Sequence, residues 1–525
     1  MYAVGISDYA LEESTPLGTM PLATVIDKAR KLPDVEHGVL ITDREPELFS
    51  DLWPMEFGPV LSRPFGQLID VLETLREETE PKGNDDGAGD EAQRNDGPSA
   101  DHLFFLWGDT PLIDVELAGR MFERHVKYFA SYTFADGYPL GLAPEIIRSG
   151  TLQQLHELAQ RHEIPLGRSM IFDLIQKDIN AFDLETEVSP RDLRLHRVLL
   201  AADTRRNLAV LDGVIERGGT DAESVIRVVD GEQEVLRTLP AYLQVQVSEG
   251  CPQACAYCPY PRLAEEGKTV SGRAADVRSL DTVMSVERWR SLMRDAHRYC
   301  DDLVVGIGLW GEPALHPHIV EMVESALAYP KFRVVIETSG VGWSADALMQ
   351  MARFDVRRID WIVSLDAAER KTYEDLRGPE WEEAQAAVSM LREHYGDEKV
   401  HVQAVRIGEN EAELEHFYRF WKKEGIPLIV QKYDHFCGYL PDRKVTDLSP
   451  LTRFACYHLR RDLTVLLDGT VRMCREDLLG EYHVGNVFDE GIETVWERMA
   501  PYYRRHMSGE LPALCENCDE YYTYN

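Results

Sequence analysis

The chain has 525 residues, 44% of them hydrophobic and 28% charged, and 56 Lys and Arg stand against 91 Asp and Glu for a formal charge of -35. At roughly 150 residues per domain this length sets about two to four domains, and so acidic a balance opposes binding to nucleic acid or anionic lipid. No apolar run nears the ~20 residues that span a bilayer, and the N-terminus lacks a basic region and a cleavage site, so a cytoplasmic protein with neither membrane nor nucleic acid as partner is expected.

Residues 1–200 alternate strand-like and helix-like stretches, which predicts an α/β domain. Strands are expected at Tyr2 to Ile6, Gly38 to Thr42 and His102 to Gly108, and helices at Pro21 to Leu32 and Phe65 to Glu77. Residues 77–101 carry almost no large apolar side chains and predict a disordered acidic insertion. Phe182 to Leu200 reads as a helical segment begun near Ser189-Pro190, and 201–240 as a connector.

From residue 241 six apolar runs alternate with helical stretches: YLQVQVS, LVVGIGLWG, RVVIETSG, IDWIVSLDA, KVHVQAVRI and PLIVQKYDHF. Strands alternating with helices at this spacing predict a parallel sheet curled into a partial (β/α)6 barrel over 241–440, with chemistry at the C-terminal ends of its strands. Residues 441–525 form a small appended subdomain.

Nine cysteines, an odd number in a long chain, point to metal ligation rather than a disulfide framework. Cys251, Cys255 and Cys258 follow the first barrel run in CxxxCxxC spacing. Thiolates this close can each bind a different iron of one cubane and leave one iron open, whereas structural zinc recruits four ligands. Near the C-terminus Cys456 and Cys474 flank a hairpin turning at Asp468-Gly469, and Cys515 and Cys518 form CxxC. These four thiolates can close an iron-sulfur cluster or a zinc site. Cys437, after the sixth run, is expected near the barrel mouth as a hydrogen donor, a substrate contact or a buried unreactive thiol. Cys300 is expected to pack in the core.

The first cysteine group resembles the motif of the radical S-adenosylmethionine (radical SAM) superfamily, with Tyr257 at its aromatic position. The resemblance extends to Gly311, Glu312 and Pro313 in GLWGEP, Thr338 and Ser339 in ETSG, Ser364 and Asp366 in SLDA, and Arg377 in TYEDLRG. It implies that Cys251, Cys255 and Cys258 hold a [4Fe-4S] cluster, and that Glu312 receives the amino group of S-adenosylmethionine and Arg377 its carboxylate. It also implies a 5'-deoxyadenosyl radical, a flavodoxin- or ferredoxin-type electron donor, and a peptide, carbohydrate or small-metabolite substrate.

The spacing from Cys456 through Gly469 to Cys474, followed by HVGNVFDEGIETVWE, is similar to the SPASM extension of such enzymes. The next cysteine position of that pattern is Tyr524, so the likeness is closer to the shortened, one-cluster twitch form with an auxiliary [4Fe-4S] cluster on Cys456, Cys474, Cys515 and Cys518. Residues 1–170 resemble nucleotidyltransferases, with Asp109 at the family's metal-binding aspartate, yet ISDYALEESTPLG lacks the glycines and cations that cradle a triphosphate. The reading is thus a radical SAM oxidoreductase. The alternatives are a nucleotidyltransferase with a fused iron-sulfur regulatory module, and a non-enzymatic zinc scaffold.

Overall fold

The structure is a computed structural model that describes residues 2–6, 21–54, 56–63, 65–79, 101–266, 283–447, 449–450 and 453–521. The loop replacing the triphosphate cradle, most of the acidic insertion, and Tyr524 lie outside these residues. Two units divide the chain, 1–236 and 237–525. None of the described helices is long and apolar enough to cross a membrane.

The first unit is a seven-stranded mixed sheet of β1 (Tyr2–Ile6), β2 (His37–Thr42), β3 (Val60–Ser62), β4 (His102–Trp107), β5 (Tyr132–Asp136), β6 (Glu145–Arg148) and β7 (Leu184–Val188). Its order is β3-β2-β1-β4-β6-β5-β7. Helices cover both faces over two apolar clusters, one around Leu40, Phe104 and Leu117 and the other around Ile41, Phe105 and Leu155.

Three expectations need correction here. Glu77, Glu78 and Thr79 end a helix rather than begin the insertion, because Leu68, Val71, Leu72 and Leu75 bury that helix's apolar face. The segment after Phe182 is the strand β7, paired with β5 from Leu184 to Val188, and not a helix. Residues 201–236 are part of the first unit. The helices Arg205–Glu216 and Ala222–Gly231 bury Leu211, Val214, Val225 and Val229 in the first cluster. Asp114 fastens them: one oxygen caps its own helix at the Leu117 amide, 2.8 Å away, and the other accepts the Ala222 amide at 2.5 Å.

The second unit is built on one nine-stranded sheet. Its six parallel barrel strands are β8 (Tyr242–Val245), β9 (Val304–Ile307), β10 (Arg333–Thr338), β11 (Ile359–Ser364), β12 (Val400–Arg406) and β13 (Leu428–Lys432). They run in sequential order, as right-handed βα crossovers require. The C-terminal strands β14 (Asp462–Val465), β15 (Thr470–Arg472) and β16 (His483–Asn486) continue the same sheet, because β14 pairs parallel with β8. The subdomain expected as an appendage is therefore hydrogen-bonded to the barrel's first strand.

The β14–β15 hairpin turns at Gly469, whose φ of +89° suits glycine, and the Asp468 carboxylate accepts the Thr470 amide. Asn486 in the GN pair clamps that turn by donating to the Asp468 carbonyl. Trp496 is fully buried; its indole donates to the Thr238 carbonyl at 2.6 Å, and the Arg237 guanidinium lies 3.9 Å from its ring centre. Cys300 packs in the core as expected, fully buried.

Trp496→Ala removes this packing and orphans the Thr238 carbonyl, and should lower the stability of the second unit by about 3–5 kcal/mol in urea unfolding followed by near-ultraviolet circular dichroism. Leu479→Ala, at a residue 49% exposed, should stay within about 0.5 kcal/mol of the parent.

Candidate functional site

The cysteine loop leaves β8 through Val247, Ser248, Glu249 and Gly250, and is stitched to the segment after β9. The Ser248 hydroxyl donates to the Glu312 carbonyl and the Glu312 amide to the Gly250 carbonyl, both at 2.8 Å. These chains meet so closely that a Cβ on Gly311 would fall 2.0 Å from the Ser248 carbonyl oxygen. Only glycine fits there. The preceding Leu309 and Trp310 both carry positive φ, +24° and +51°, strain that bends the backbone into this approach.

On its other side the loop is held by buried charge. The Arg377 guanidinium reaches Asp366 and the Tyr257 hydroxyl, each at 2.5 Å, and Gln253 at 2.9 Å; Tyr257 also donates to Asp366. Gln253 and Tyr257 flank Cys255, and Asp366 is fixed by accepting the Val405 amide at 2.7 Å. A backbone bond from the Ala256 amide to the Leu376 carbonyl completes the attachment.

Cys251, Cys255 and Cys258 line one cavity of about 260 Å³. Burial pushes all three thiols upward, Cys258 to about 12, so they are neutral until a metal takes the place of the protons. Tyr257, Gly311, Glu312, Thr338, Ser339, Ser364 and Arg377 share its wall. Pro313 and Asp366 do not. Pro313 is buried behind the wall, and Asp366 is turned to Arg377. Arg377 thus has its carboxylate partner within the protein. Glu312 likewise is engaged: its two oxygens accept the Thr338 hydroxyl at 2.5 Å, the Ser339 amide and hydroxyl at 2.8 and 2.6 Å, and the Ala314 amide at 3.2 Å. Burial raises its pKa despite those four donors.

Cys456, Cys474, Cys515 and Cys518 line a second, small enclosed pocket. Arg453 braces the CxxC turn by donating to the Cys515 and Cys518 carbonyls at 2.7 and 3.3 Å. Cys437 was expected at the barrel mouth, but its thiol is hydrogen-bonded to Cys518, and it is its neighbour Phe436 that faces the first cavity. Arg475 and Gln244 belong to the walls of both cavities.

Sequence motifs left several residues of these walls unread: Gln253 within the cysteine spacing, Glu337 at the head of ETSG, and Arg475 beside Cys474. Glu337 carries a legible signal, a charge directly after the apolar run Val334 to Ile336; Gln253 has none.

The donor sets fit iron-sulfur groups. Three thiols, the only ones among the described residues of the first cavity, face open space, while four converge on the second. In the first unit, Asp109, which the sequence resemblance reads as a metal ligand, is paired through both oxygens to the half-buried Arg168, one contact at 2.7 Å.

Residues 245–420 match the radical SAM superfamily, and residues 456–519 match SPASM, an iron-sulfur cluster-binding domain. An uncharacterized protein of Treponema pallidum (strain Nichols) is 34% identical over 373 residues, covering 68% of this chain and 99% of that protein. SuiB of Streptococcus suis bound to precursor peptide SuiA aligns with 65% of this chain and 80% of its own at 16% identity and a TM-score of 0.42. A cytidylyltransferase of Leptospira borgpetersenii serovar Hardjo-bovis aligns with 45% of this chain and 94% of its own at 15% identity and a TM-score of 0.34.

Gly311→Ala should part the cysteine loop from the end of β9. Iron bound after anaerobic reconstitution is expected to fall by about half, since the four-thiol pocket still loads. Full iron content in this variant would show that the contact does not position the first cysteine group.

Proposed function

Because the chain belongs to the radical SAM superfamily, with an iron-sulfur SPASM domain joined to its barrel, we propose that it is an oxidoreductase acting on a peptide, carbohydrate or other small metabolite. Bound together, S-adenosylmethionine and a reduced [4Fe-4S] cluster supply a 5'-deoxyadenosyl radical that takes hydrogen from a substrate carbon. In this reading Cys251, Cys255 and Cys258 hold that cluster. Gly311, Thr338, Ser339 and Ser364 shape the bed for the cofactor, and the bracing by Arg377 and Asp366 keeps the cysteine loop in place. Cys456, Cys474, Cys515 and Cys518 hold an auxiliary cluster with no position left for substrate, which suits electron transfer.

The observation that carries net oxidation is the shared wall: Arg475 and Gln244 border both the open cavity and the four-thiol pocket. A substrate radical in the first would lie one side chain from an electron acceptor in the second. The first electron is expected from a flavodoxin- or ferredoxin-type donor.

Anaerobic reconstitution tests this reading. About eight irons per chain and dithionite-dependent release of 5'-deoxyadenosine are expected. Cys255→Ala should abolish that release, whereas the double variant Cys515→Ala and Cys518→Ala should lose one cluster and retain some release. Release by the Cys255 variant would overturn the assignment of the open-iron site.

A further inference from the structure

The barrel interior is layered. Side chains on a strand alternate between faces, and the strand registers identify which of them share a level. Gln244 stands opposite Gly306, and Ser364 opposite Gln403. Between the other neighbours the level advances by two residues, as strand tilt in a barrel demands: Val335, the partner of Gly306, leads to Glu337; Ile362, the partner of Glu337, leads to Ser364; and Ile429, the partner of Gln403, leads to Gln431.

Gln244, Gly306, Glu337, Ser364, Gln403 and Gln431 therefore form one ring, and all six line the cavity. One pleat below, the equivalent positions Tyr242, Val304, Val335, Ile362, His401 and Ile429 are mostly apolar. One pleat above come Gly308 and Ser339, at the level of the cofactor segments.

A barrel interior is normally filled by branched apolar side chains. Here one level carries three amides, a carboxylate and a hydroxyl around a glycine, and their internal hydrogen bonding is sparse. The Gln403 amide reaches Ser364 only at 3.4 Å, and the Gln244 oxygen accepts from Thr464 only at 3.5 Å. The side chains of Glu337 and Gln431 make no hydrogen bond to the described residues, although Glu337 feels the charge of Arg475. The other acids and bases of this wall are engaged: Lys432 with Glu520, Asp434 with Arg475, and Arg377 with Asp366. The side chains of the ring are half-buried and open to the cavity, so their hydrogen bonds are made to whatever fills it, water or a ligand.

We propose that this ring, with Ser364 at its border with the cofactor bed, binds the substrate, and that the substrate is a monosaccharide-sized, hydroxyl-rich molecule that donates a hydrogen bond to Glu337. The inference rests on the radical SAM reading and narrows its substrate class. Amides offer a donor and an acceptor each, which matches hydroxyl groups spaced around a compact ring. An apolar substrate would leave three amides and a carboxylate unsatisfied. At Gly306 a Cβ would meet the Tyr242 hydroxyl at 2.3 Å, so the glycine makes room for that phenol, which lines the same cavity and adds a further hydroxyl beside the ring.

The test uses reconstituted holoenzyme with saturating S-adenosylmethionine and saturation-transfer NMR with glucose, glucosamine, myo-inositol and triglycine as separate probes. At least one of the three polyols should bind and triglycine should not. Glu337→Gln should weaken the bound polyol at least about tenfold, the effect of losing a charged hydrogen bond. Gln431→Ala, on the last barrel strand, should weaken it by a smaller factor, with circular dichroism confirming the fold of both variants. Preference for glucosamine over glucose would assign the Glu337 partner as an amine, and equal binding would assign it as a hydroxyl. Binding of triglycine alone, binding of no polyol, or equal affinity in Glu337→Gln would overturn the proposal. Release of 5'-deoxyadenosine by the parent enzyme, measured in the same preparation, reports on the radical SAM reading separately.

Discussion

The second unit depends on a buried ion pair that cannot be separated cheaply. Asp366 is wholly buried and Arg377 is 6% exposed, so each must have the other as partner or cost several kcal/mol of desolvation. The pair fixes more than itself. Through Gln253 and Tyr257 it holds the two residues that flank Cys255, and through the Val405 amide it reaches β12. A loop of small and polar residues, which would otherwise wander, is given one position relative to the ends of two strands. The close contact of Gly311 with Ser248 then fixes the same loop from the opposite side. Three thiols end up facing one cavity because both attachments are geometrically narrow.

Much of this was legible from sequence because it is local. The CxxxCxxC spacing, the apolar runs and the Asp468-Gly469 turn each depend on residues a few positions apart, and each has its expected place in the structure. The partner of Arg377 was not legible for the opposite reason. A motif identifies an arginine and its neighbourhood but not which carboxylate will be nearest, and Asp366 lies on a different element. Cys437 is a similar case: sequence places it just after β13, but not that its thiol meets Cys518, 81 positions away. The helices of residues 205–231 read as a connector because their partner, the Asp114 carboxylate, is about a hundred residues upstream.

The pairing of β14 with β8 has a further consequence. An appended domain tethered by a linker could set its cluster at any distance from the barrel. A domain whose first strand is hydrogen-bonded to the barrel's first strand cannot. Cys456 immediately precedes the short helix leading into β14, and Cys474 follows β15 by two residues, so the register of that sheet carries two of the four thiols. Arg475, next to Cys474, therefore reaches the wall of the open cavity without a long connection. The spacing of the two cysteine groups is thus a property of one sheet rather than of domain docking.

The same sheet explains why polar character could be introduced into the barrel interior without loss of the fold. On the outward faces of the strands Val305, Ile336, Trp361, Val363, Val402 and Ala404 are fully buried under helices, and this apolar surface stabilises the barrel. The inward face is thereby released from that task. An apolar level around Val304 and Val335 closes the interior below, and Gly306 and Gly308 make room for the Tyr242 phenol and Glu337. Between them Gln244, Glu337, Gln403 and Gln431 are retained at a level where leucine or valine would pack better. That arrangement gives up apolar packing at one level and leaves hydrogen-bonding groups open to the cavity.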